Sequence, residues 1–554
     1  MSENAVKESL HTTRLRGADL VAKTLERLGV DYVFSVSGNH IMPLYDALFD
    51  TGITIVHARH EAACVHMADA YARLTGKPGI ALVTGGQAHA NAAAALFTAL
   101  ANEAPVVLLS GHAALDELGK GAFQEMRQAE LAAPVSKQSW RAGCAEYLDR
   151  DIAEALRIAS SNCPGPVHLS LPVDLLEQHI PSHCFSRAIP DAAEPYPAAM
   201  SLSLHDGDEI LRQLASAKRP IVLYGPHLCA PRYREHVLEL ERRLAVPVVG
   251  MESPRGIRDP SLGAFHELLC QADLIVLLGK ALDFTLNFGA APVLAPNCKI
   301  ISIQPDCPSP AQHSGTHRAY AAEAVGALRL LTERAKVPAP HSRWLEEVND
   351  ALHYRPPEWA TDLHASQAAL GMSAIAVCDA VRRFFIAHPS AILVSDGGEF
   401  GQWAQAFVRP AKRLINGPSG TIGPGIPFAI AAKLAEPNAP VIAMMGDGTF
   451  GFHMAEIDTA IRYGLPIVVI IGNDAKWNAE HQIQLRDYGA SRLHACELRS
   501  SRYDKVVEAL GGYGELVTRR DDLDAAIERA ISAGKPACLN VLIESLPAPV
   551  IRRQ

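Results

Sequence analysis

At 554 residues, with 48% hydrophobic and 20% charged side chains, the chain is long enough for two to four globular domains and is neither disordered nor fibrous. Its net charge of −9 is spread over interspersed acids and bases with no basic stripe, which excludes nucleic acid as an expected partner. Apolar runs such as 274–278 are far too short to span a bilayer, and residues 1–14 are polar with no secretion-signal core, so a cytoplasmic protein without membrane association is expected.

Residues 17–29 have the spacing of an amphipathic helix, 31–36 read as a strand, and Ser37-Gly38-Asn39-His40 is a glycine turn entering a helix over 41–49. A strand at 53–56 ends in His57-Ala58-Arg59-His60-Glu61, and a helix runs on to Leu74. Next come a strand at 80–84, the turn Gly85-Gly86-Gln87-Ala88-His89, an alanine-rich helix and a strand at 106–110. A strand at 167–171 closes the first domain, 1–185. Strands alternating with helices through short turns predict an α/β fold built on doubly wound parallel sheets.

The proline- and alanine-containing stretch 189–199 reads as a linker to a second α/β unit, 195–336, with apolar runs at 221–224, 246–249, 274–278 and 300–303. Gly279 could border a nucleotide phosphate there, but a plain turn glycine is the simpler reading. A proline-bearing link, 337–365, leads to a third unit, 366–545. The eleven cysteines are scattered singly without C-x-x-C spacing and read as small buried residues or free thiols, Cys64 included.

The third unit opens with a helix over 372–385 and a strand at 391–394 that ends in Ser395-Asp396-Gly397-Gly398. Its densest stretch is 441–477: a strand at 441–445, a break at Gly446-Asp447-Gly448, a helix over 454–463, and a β-branched run at 465–471 that stops at Asn473-Asp474. In a parallel βαβ unit Asp447 and Asp474 both fall at the carboxyl ends of strands, where open α/β sheets bind ligands. Gly446, Gly448 and Gly451 also satisfy the dinucleotide pattern G-x-G-x-x-G. A carboxylate between the first two glycines would, however, repel a pyrophosphate at a helix amino terminus unless a cation lay between them. Three readings stand, in this order: Asp447 and Asp474 hold Mg²⁺ or Ca²⁺, which holds a diphosphate; Asp447 caps the helix; the turn binds a dinucleotide.

The succession G-D-G, helix, apolar strand and Asn-Asp resembles the cofactor motif of thiamine diphosphate-dependent enzymes, and the resemblance spans nearly the whole chain. It implies a pyrimidine-binding, a middle and a diphosphate-binding domain, each a doubly wound parallel sheet. It implies that Asp447, Asp474 and the backbone carbonyl of Lys476 hold the metal, although Asp474 stands where the family usually has Asn. Gly448, Thr449 and Trp477 join the implied cofactor site. An acid after an Arg-His pair, here Glu61, would bond the aminopyrimidine and drive the tautomer that removes the thiazolium C2 proton, giving the carbanion-stabilising ylid. Alone, a glutamate opening a helix is a partner of the helix dipole. Thr84 and Gly85-Gly86 would border the pyrimidine, Gly397 and Gly398 would let the diphosphate approach backbone, Gly420 would contact the aminopyrimidine, and Ile422 would bend the cofactor. FAD or ADP in the middle domain has no supporting motif.

Ser37-Gly38-Asn39-His40 resembles the turn of benzaldehyde lyase, and Phe123-Gln124-Glu125 resembles the active-site glutamine segment of that enzyme and of acetolactate synthases. His40 and Gln124 are therefore the implied substrate-side residues, ahead of His89 and His481. A histidine can shuttle the proton of a carbonyl oxygen, and a helix-entry histidine bonded to backbone is the equal rival for His40. The implied chemistry is acyloin cleavage or aldehyde carboligation first and acetolactate-type reaction of a 2-oxo acid second. A 2-hydroxyacyl-CoA lyase- or oxalyl-CoA decarboxylase-like reaction comes third, because the short tail after Glu544 leaves little chain for a lid and Arg552 and Arg553 are thin support for a CoA site. A non-catalytic cofactor-binding assembly protein is the remaining reading, suited by Asp474 and Gln87-Ala88-His89 and opposed by Glu61. A homodimer or homotetramer with its active sites at the subunit interface is also implied.

Overall fold

The apolar runs resolve into three sheets in which every strand pair is parallel. The computed structural model describes residues 15–186, 200–305, 317–335, 342–362 and 371–553. The expected linker at 189–199, the expected third-unit start at 366 and both ends of the 337–365 link lie outside these residues. The first sheet comprises β1 (Tyr32–Ser35), β2 (Thr54–His57), β3 (Gly79–Val83), β4 (Val106–His112), β5 (Gln138–Arg141) and β6 (Val167–Pro172), in the order β2-β1-β3-β4-β6-β5. The second comprises β7 (Pro220–Tyr224), β8 (Val248–Gly250), β9 (Leu274–Leu278), β10 (Lys299–Ile303) and β11 (His317–Tyr320), in the order β11-β10-β9-β7-β8. The third comprises β12 (Ile392–Ser395), β13 (Lys412–Ile415), β14 (Val441–Gly446), β15 (Ile467–Asn473), β16 (Tyr513–Val517) and β17 (Ala537–Leu542), in the order β13-β12-β14-β15-β17-β16.

Continuous apolar strands mark sheets covered on both faces, and alternate residues of one strand then enter different cores. In β9, Leu274, Val276 and Leu278 join one core while Ile275 and Leu277 join the other. The chain separates into two compact units, the first carrying the first sheet and the second carrying the other two. None of the described helices is long and apolar enough to cross a membrane.

The first and third sheets share one strand order although their sequences show no repeat. In each, the order reverses beside the first strand, between β1 and β3 and between β12 and β14. Doubly wound sheets take ligands in the crevice outside the carboxyl ends of such a pair. In the first sheet these ends run into residues 37–40 and 84–86, and in the third into 396–398 and 447–449.

Two local expectations are corrected. The helix after Gly446 begins at Asp447 rather than Met454, running Asp447–His453 and then Glu456–Arg462, because an extended Gly446 (φ −72°, ψ 163°) serves as its N-cap. The centre of the proline-bearing link is helical, Ser342–His353, because Trp344, Val348 and Ala351 recur at helical spacing and bury one face.

Candidate active site

In the second unit the register pairs Gly446 of β14 with Gly472 of β15, so the two strands end level and deliver Asp447 and Asp474 to one place. Asp447 is 2% exposed, and its Oδ2 is buried without a hydrogen-bond partner. Burial and the neighbouring Asp474 push the Asp447 carboxyl up to about 7, and burial pushes that of Asp474 up to about 6. Two carboxylates in one dry place are a strained pair of anions, and a hard divalent cation between them removes the conflict. The N-cap of the following helix is Gly446 rather than Asp447, which sets the capping reading aside, and the orphaned Oδ2 fits a metal ligand.

The turn after β15 is built to aim Asp474. Ala475 is left-handed (φ 55°), its carbonyl accepts from Leu498 N–H at 2.7 Å, and Trp477 N–H donates to the Cys496 carbonyl at 2.8 Å. Asn473 is the anchor: its Nδ2 donates to Asn540 Oδ1 at 3.0 Å and the Ser501 carbonyl at 3.2 Å, and its Oδ1 accepts from Ala475 N–H at 3.3 Å.

A cavity of about 400 Å³ brings together all the cofactor residues expected from the third unit: Gly397, Gly398, Gly420, Ile422, Asp447, Gly448, Thr449, Asp474, Lys476 and Trp477. Two of its glycines have a steric reason. A Cβ on Gly448 would lie 2.8 Å from the Trp477 ring, and one on Gly397 would lie 2.7 Å from Ile422 Cγ2. The lining along helix Asn478–Tyr488 stops at Glu480, one residue short of His481.

Sequence reasoning passed over Asp396, which holds the cavity's loops. Its buried carboxyl accepts N–H groups from Gly397 at 2.6 Å, Gly423 at 3.0 Å and Gly425 at 2.9 Å, and burial pushes its pKa up to about 6. The available signal was an acid directly before a glycine pair at a strand end. The turn carrying Ser253, Pro254 and Arg255 also lines the cavity, where the sequence offered no motif. Gly279 lies elsewhere in the second sheet's turns, where its φ is 61° and a Cβ on it would lie 2.7 Å from Ala324 Cβ, so it is a turn glycine.

The first unit gathers His40, Thr84, Gly85, Gly86 and Gln124. His40 Nδ1 lies 3.3 Å from Thr84 Oγ1 and its ring stacks on Phe123 at 6.1 Å. A Cβ on Gly85 would lie 3.2 Å from His40 Nδ1, and one on Gly86 would lie 2.7 Å from Gln124 Cβ. Gln124 itself is left-handed (φ 56°). Burial and the nearby His112 hold the His40 imidazole below its ordinary pKa, which favours its neutral form. The Phe123 carbonyl also faces the ring, so His40 joins the glutamine loop to the end of β3 as well as presenting an imidazole.

Gln128, another residue the sequence did not single out, is 1% exposed and fixes this turn: it accepts Gly86 N–H at 2.8 Å and donates to the Gly111 carbonyl at 3.1 Å and Ser170 Oγ at 3.0 Å. His89 is buried away from the turn against His168, ring to ring at 4.4 Å, and burial pushes its pKa down to about 4. Glu61 opens the helix Glu61–Thr75 and accepts from Asn91 Nδ2 at 3.0 Å. It is half-buried in the single chain, short of the dry pocket its implied role calls for.

Comparison with known proteins matches three family descriptions in order along the chain. They are the thiamine pyrophosphate enzyme N-terminal TPP binding domain over residues 15–131, the central domain over 208–334, and the C-terminal TPP binding domain over 396–541. The chain is 31% identical over 561 residues to an acetolactate synthase large subunit of Mycobacterium tuberculosis, covering 98% of this chain and 97% of that one. It is 30% identical over 586 residues to 2-hydroxyacyl-CoA lyase 2 of Caenorhabditis elegans, covering 96% and 90%. An acetolactate synthase large subunit of Haemophilus influenzae is 29% identical over 549 residues, covering 94% and 92%.

Proposed function

The chain belongs to the thiamine pyrophosphate enzyme family and is a thiamine diphosphate-dependent enzyme, and we propose that it makes or breaks the carbon–carbon bond beside a carbonyl in acyloins, aldehydes or 2-oxo acids, using Mg²⁺. The observation that carries the metal and cofactor part is the buried, unpartnered Asp447 Oδ2 beside Asp474. When bound, thiamine diphosphate supplies an electron sink for a carbanion next to a carbonyl. The chain's own residues then have distinct tasks. Asp447, Asp474 and the Lys476 carbonyl hold the metal, Gly397 and Gly398 give the diphosphate access to backbone, and Glu61 exchanges a proton with the pyrimidine nitrogen. His40 and Gln124 face the substrate.

Relatives named acetolactate synthase favour 2-oxo acid chemistry, and relatives named 2-hydroxyacyl-CoA lyase favour cleavage beside a hydroxyl. Both are reactions at a carbon adjacent to a carbonyl. Incubating the protein with Mg²⁺, thiamine diphosphate and a panel of 2-oxo acids, acyloins and acyl-CoAs, with products read by NMR, tests the reading. Turnover of none of them overturns it in favour of a non-catalytic cofactor-binding protein.

His40 separates the substrate classes. Acyloin cleavage requires a base to take the substrate's hydroxyl proton as the carbon–carbon bond breaks, whereas loss of CO₂ from a 2-oxo acid needs none in that step. His40→Ala should lower acyloin cleavage by about 10²- to 10⁴-fold and 2-oxo acid decarboxylation less. Equal losses would make His40 the structural tie between Thr84 and the glutamine loop.

Metal dependence should follow pH. The Asp447 and Asp474 carboxyls titrate above their unfolded values, so metal-free protein loses their contribution to stability as pH rises from about 4 through about 7. Mg²⁺ with cofactor relieves that loss, and the melting temperature should rise more on adding them at pH 8 than at pH 5.5. An equal rise at both pH values would remove the paired carboxylates as metal ligands.

The assembly we propose is a homodimer or homotetramer with active sites shared between chains. Specific activity should therefore fall on dilution in step with dissociation seen by sedimentation. A fully active monomer would refute it.

A further inference from the structure

The second-unit cavity carries a cation that the cofactor reading leaves unused. The two basic residues in its lining are Arg255 and Lys476, and Lys476 acts on the adjoining Asp474. The Arg255 guanidinium is 3.8 Å from Glu399 Oε2, longer than a hydrogen bond, and 47% of its side chain is exposed. Among the described residues it makes no hydrogen bond. A guanidinium has five donors on two edges, so one loose ion pair leaves an edge open for a planar oxyanion.

We propose that Arg255, steered by Glu399, binds a carboxylate of the substrate, and that the donor is accordingly a 2-oxo acid. This rests on the function proposed above and narrows it.

The turn that presents Arg255 is rigid, which a recognition residue needs. Its base is the buried Glu252, paired with Arg413 at 2.8 Å. Arg255 N–H donates to Ser253 Oγ at 3.2 Å, and the Arg255 carbonyl accepts from Arg258 N–H at 3.0 Å. Gly256 is left-handed (φ 55°), and a side chain on it would strike the Thr285 carbonyl oxygen. Pro254 packs under the Gly420 loop, where a Cβ on Gly420 would sit 3.5 Å away, which places the turn on the same cavity as Ile422.

Glu399 is the counterpart. Its side chain is 9% exposed, its Oε2 accepts from Gln402 Nε2 at 3.0 Å, and burial raises its pKa while Arg255 opposes the rise. A fixed carboxylate behind the guanidinium holds the arginine extended without saturating it. The remaining lining acids are Asp447, Asp474, Glu480 and Glu544, and of the two lining cations Lys476 already acts on Asp474, which leaves Arg255 as the cation open to a substrate carboxylate.

The test uses holoenzyme with Mg²⁺ and thiamine diphosphate, pyruvate as the acidic probe, benzoin as the neutral one, and calorimetry for cofactor affinity. Losing a bidentate charged hydrogen bond costs about 1.5–3 kcal/mol, so Arg255→Gln should raise the KM for pyruvate about 10- to 100-fold. The KM for benzoin should shift less than about 3-fold, and Arg255→Lys should recover part of the loss by keeping the charge. An unmoved pyruvate KM, or equal shifts for both probes, would overturn the assignment. A loss confined to cofactor affinity would also overturn it, by making Arg255 a diphosphate ligand. A wild-type protein that neither binds nor converts pyruvate but converts benzoin would sink the 2-oxo acid donor and leave the broader function standing. One that converts no substrate would sink both.

Discussion

Asp447→Ala should leave a folded protein that holds neither metal nor cofactor. Burial pushes both carboxyls up, that of Asp447 to about 7 with Asp474 adding to the rise, and Asp447 Oδ2 has no hydrogen-bond partner to lose. Removing one member of a buried charge constellation typically costs about 3–5 kcal/mol, so cofactor affinity should fall about 10²- to 10⁴-fold and activity with it. The metal-free variant gives the control. Above pH 7 the native pair is an unrelieved repulsion, so metal-free Asp447→Ala should melt no lower than metal-free wild type. Retained thiamine diphosphate affinity in equilibrium dialysis would remove the metal assignment, whereas a collapsed melting temperature would point to a structural Asp447.

The second large effect belongs to Glu61. Its proposed work is to carry a proton at the pyrimidine nitrogen, and the carboxylate is already oriented by Asn91 Nδ2 at 3.0 Å. Glu61→Gln keeps the shape and that contact's geometry while removing the proton exchange. Cofactor should still bind, but exchange of the thiazolium C2 proton for deuterium in the bound cofactor should slow by about 10²- to 10⁴-fold, the usual range for a positioned acid or base. Wild-type exchange in this variant would return Glu61 to its plainer role at a helix amino terminus.

Fold and site were unevenly legible, for identifiable reasons. Interior strands such as β9 and β15 bury every residue and read as unbroken apolar runs. β5, β11, β13 and β16, which the sequence reading did not anticipate, are all edge strands. β5 is Gln-Ser-Trp-Arg, with no residue fully buried, and an edge tolerates such polar composition. In the 441–477 stretch the glycines read as a break, yet Gly448 lies inside a helix and is glycine because the Trp477 ring leaves no room for a side chain. The prolines flanking residues 342–353 outweighed the spacing of Trp344, Val348 and Ala351. Asp447 and Asp474 could be paired from their positions at strand ends, whereas Thr84 and Gly86 were implied only by the family resemblance. Asp396 and Gln128 act by hydrogen bonds to residues 27–29 and 42 positions away in sequence, and Arg255 meets Glu399 only through the tertiary fold.

The Asp396 carboxyl also governs how order spreads through the cofactor cavity. One side chain grips backbone on both sides, Gly397 on the loop after β12 and Gly423 and Gly425 on the loop that carries Ile422. Neither loop can loosen without releasing the other, so the two behave as one cooperative element with a shared opening free energy. Whatever freezes the loop after β12 lowers the entropic cost of freezing the loop that carries Ile422. Occupancy of the cavity should then be close to all-or-none, with hydrogen exchange slowing together at residues 397–398 and 420–425.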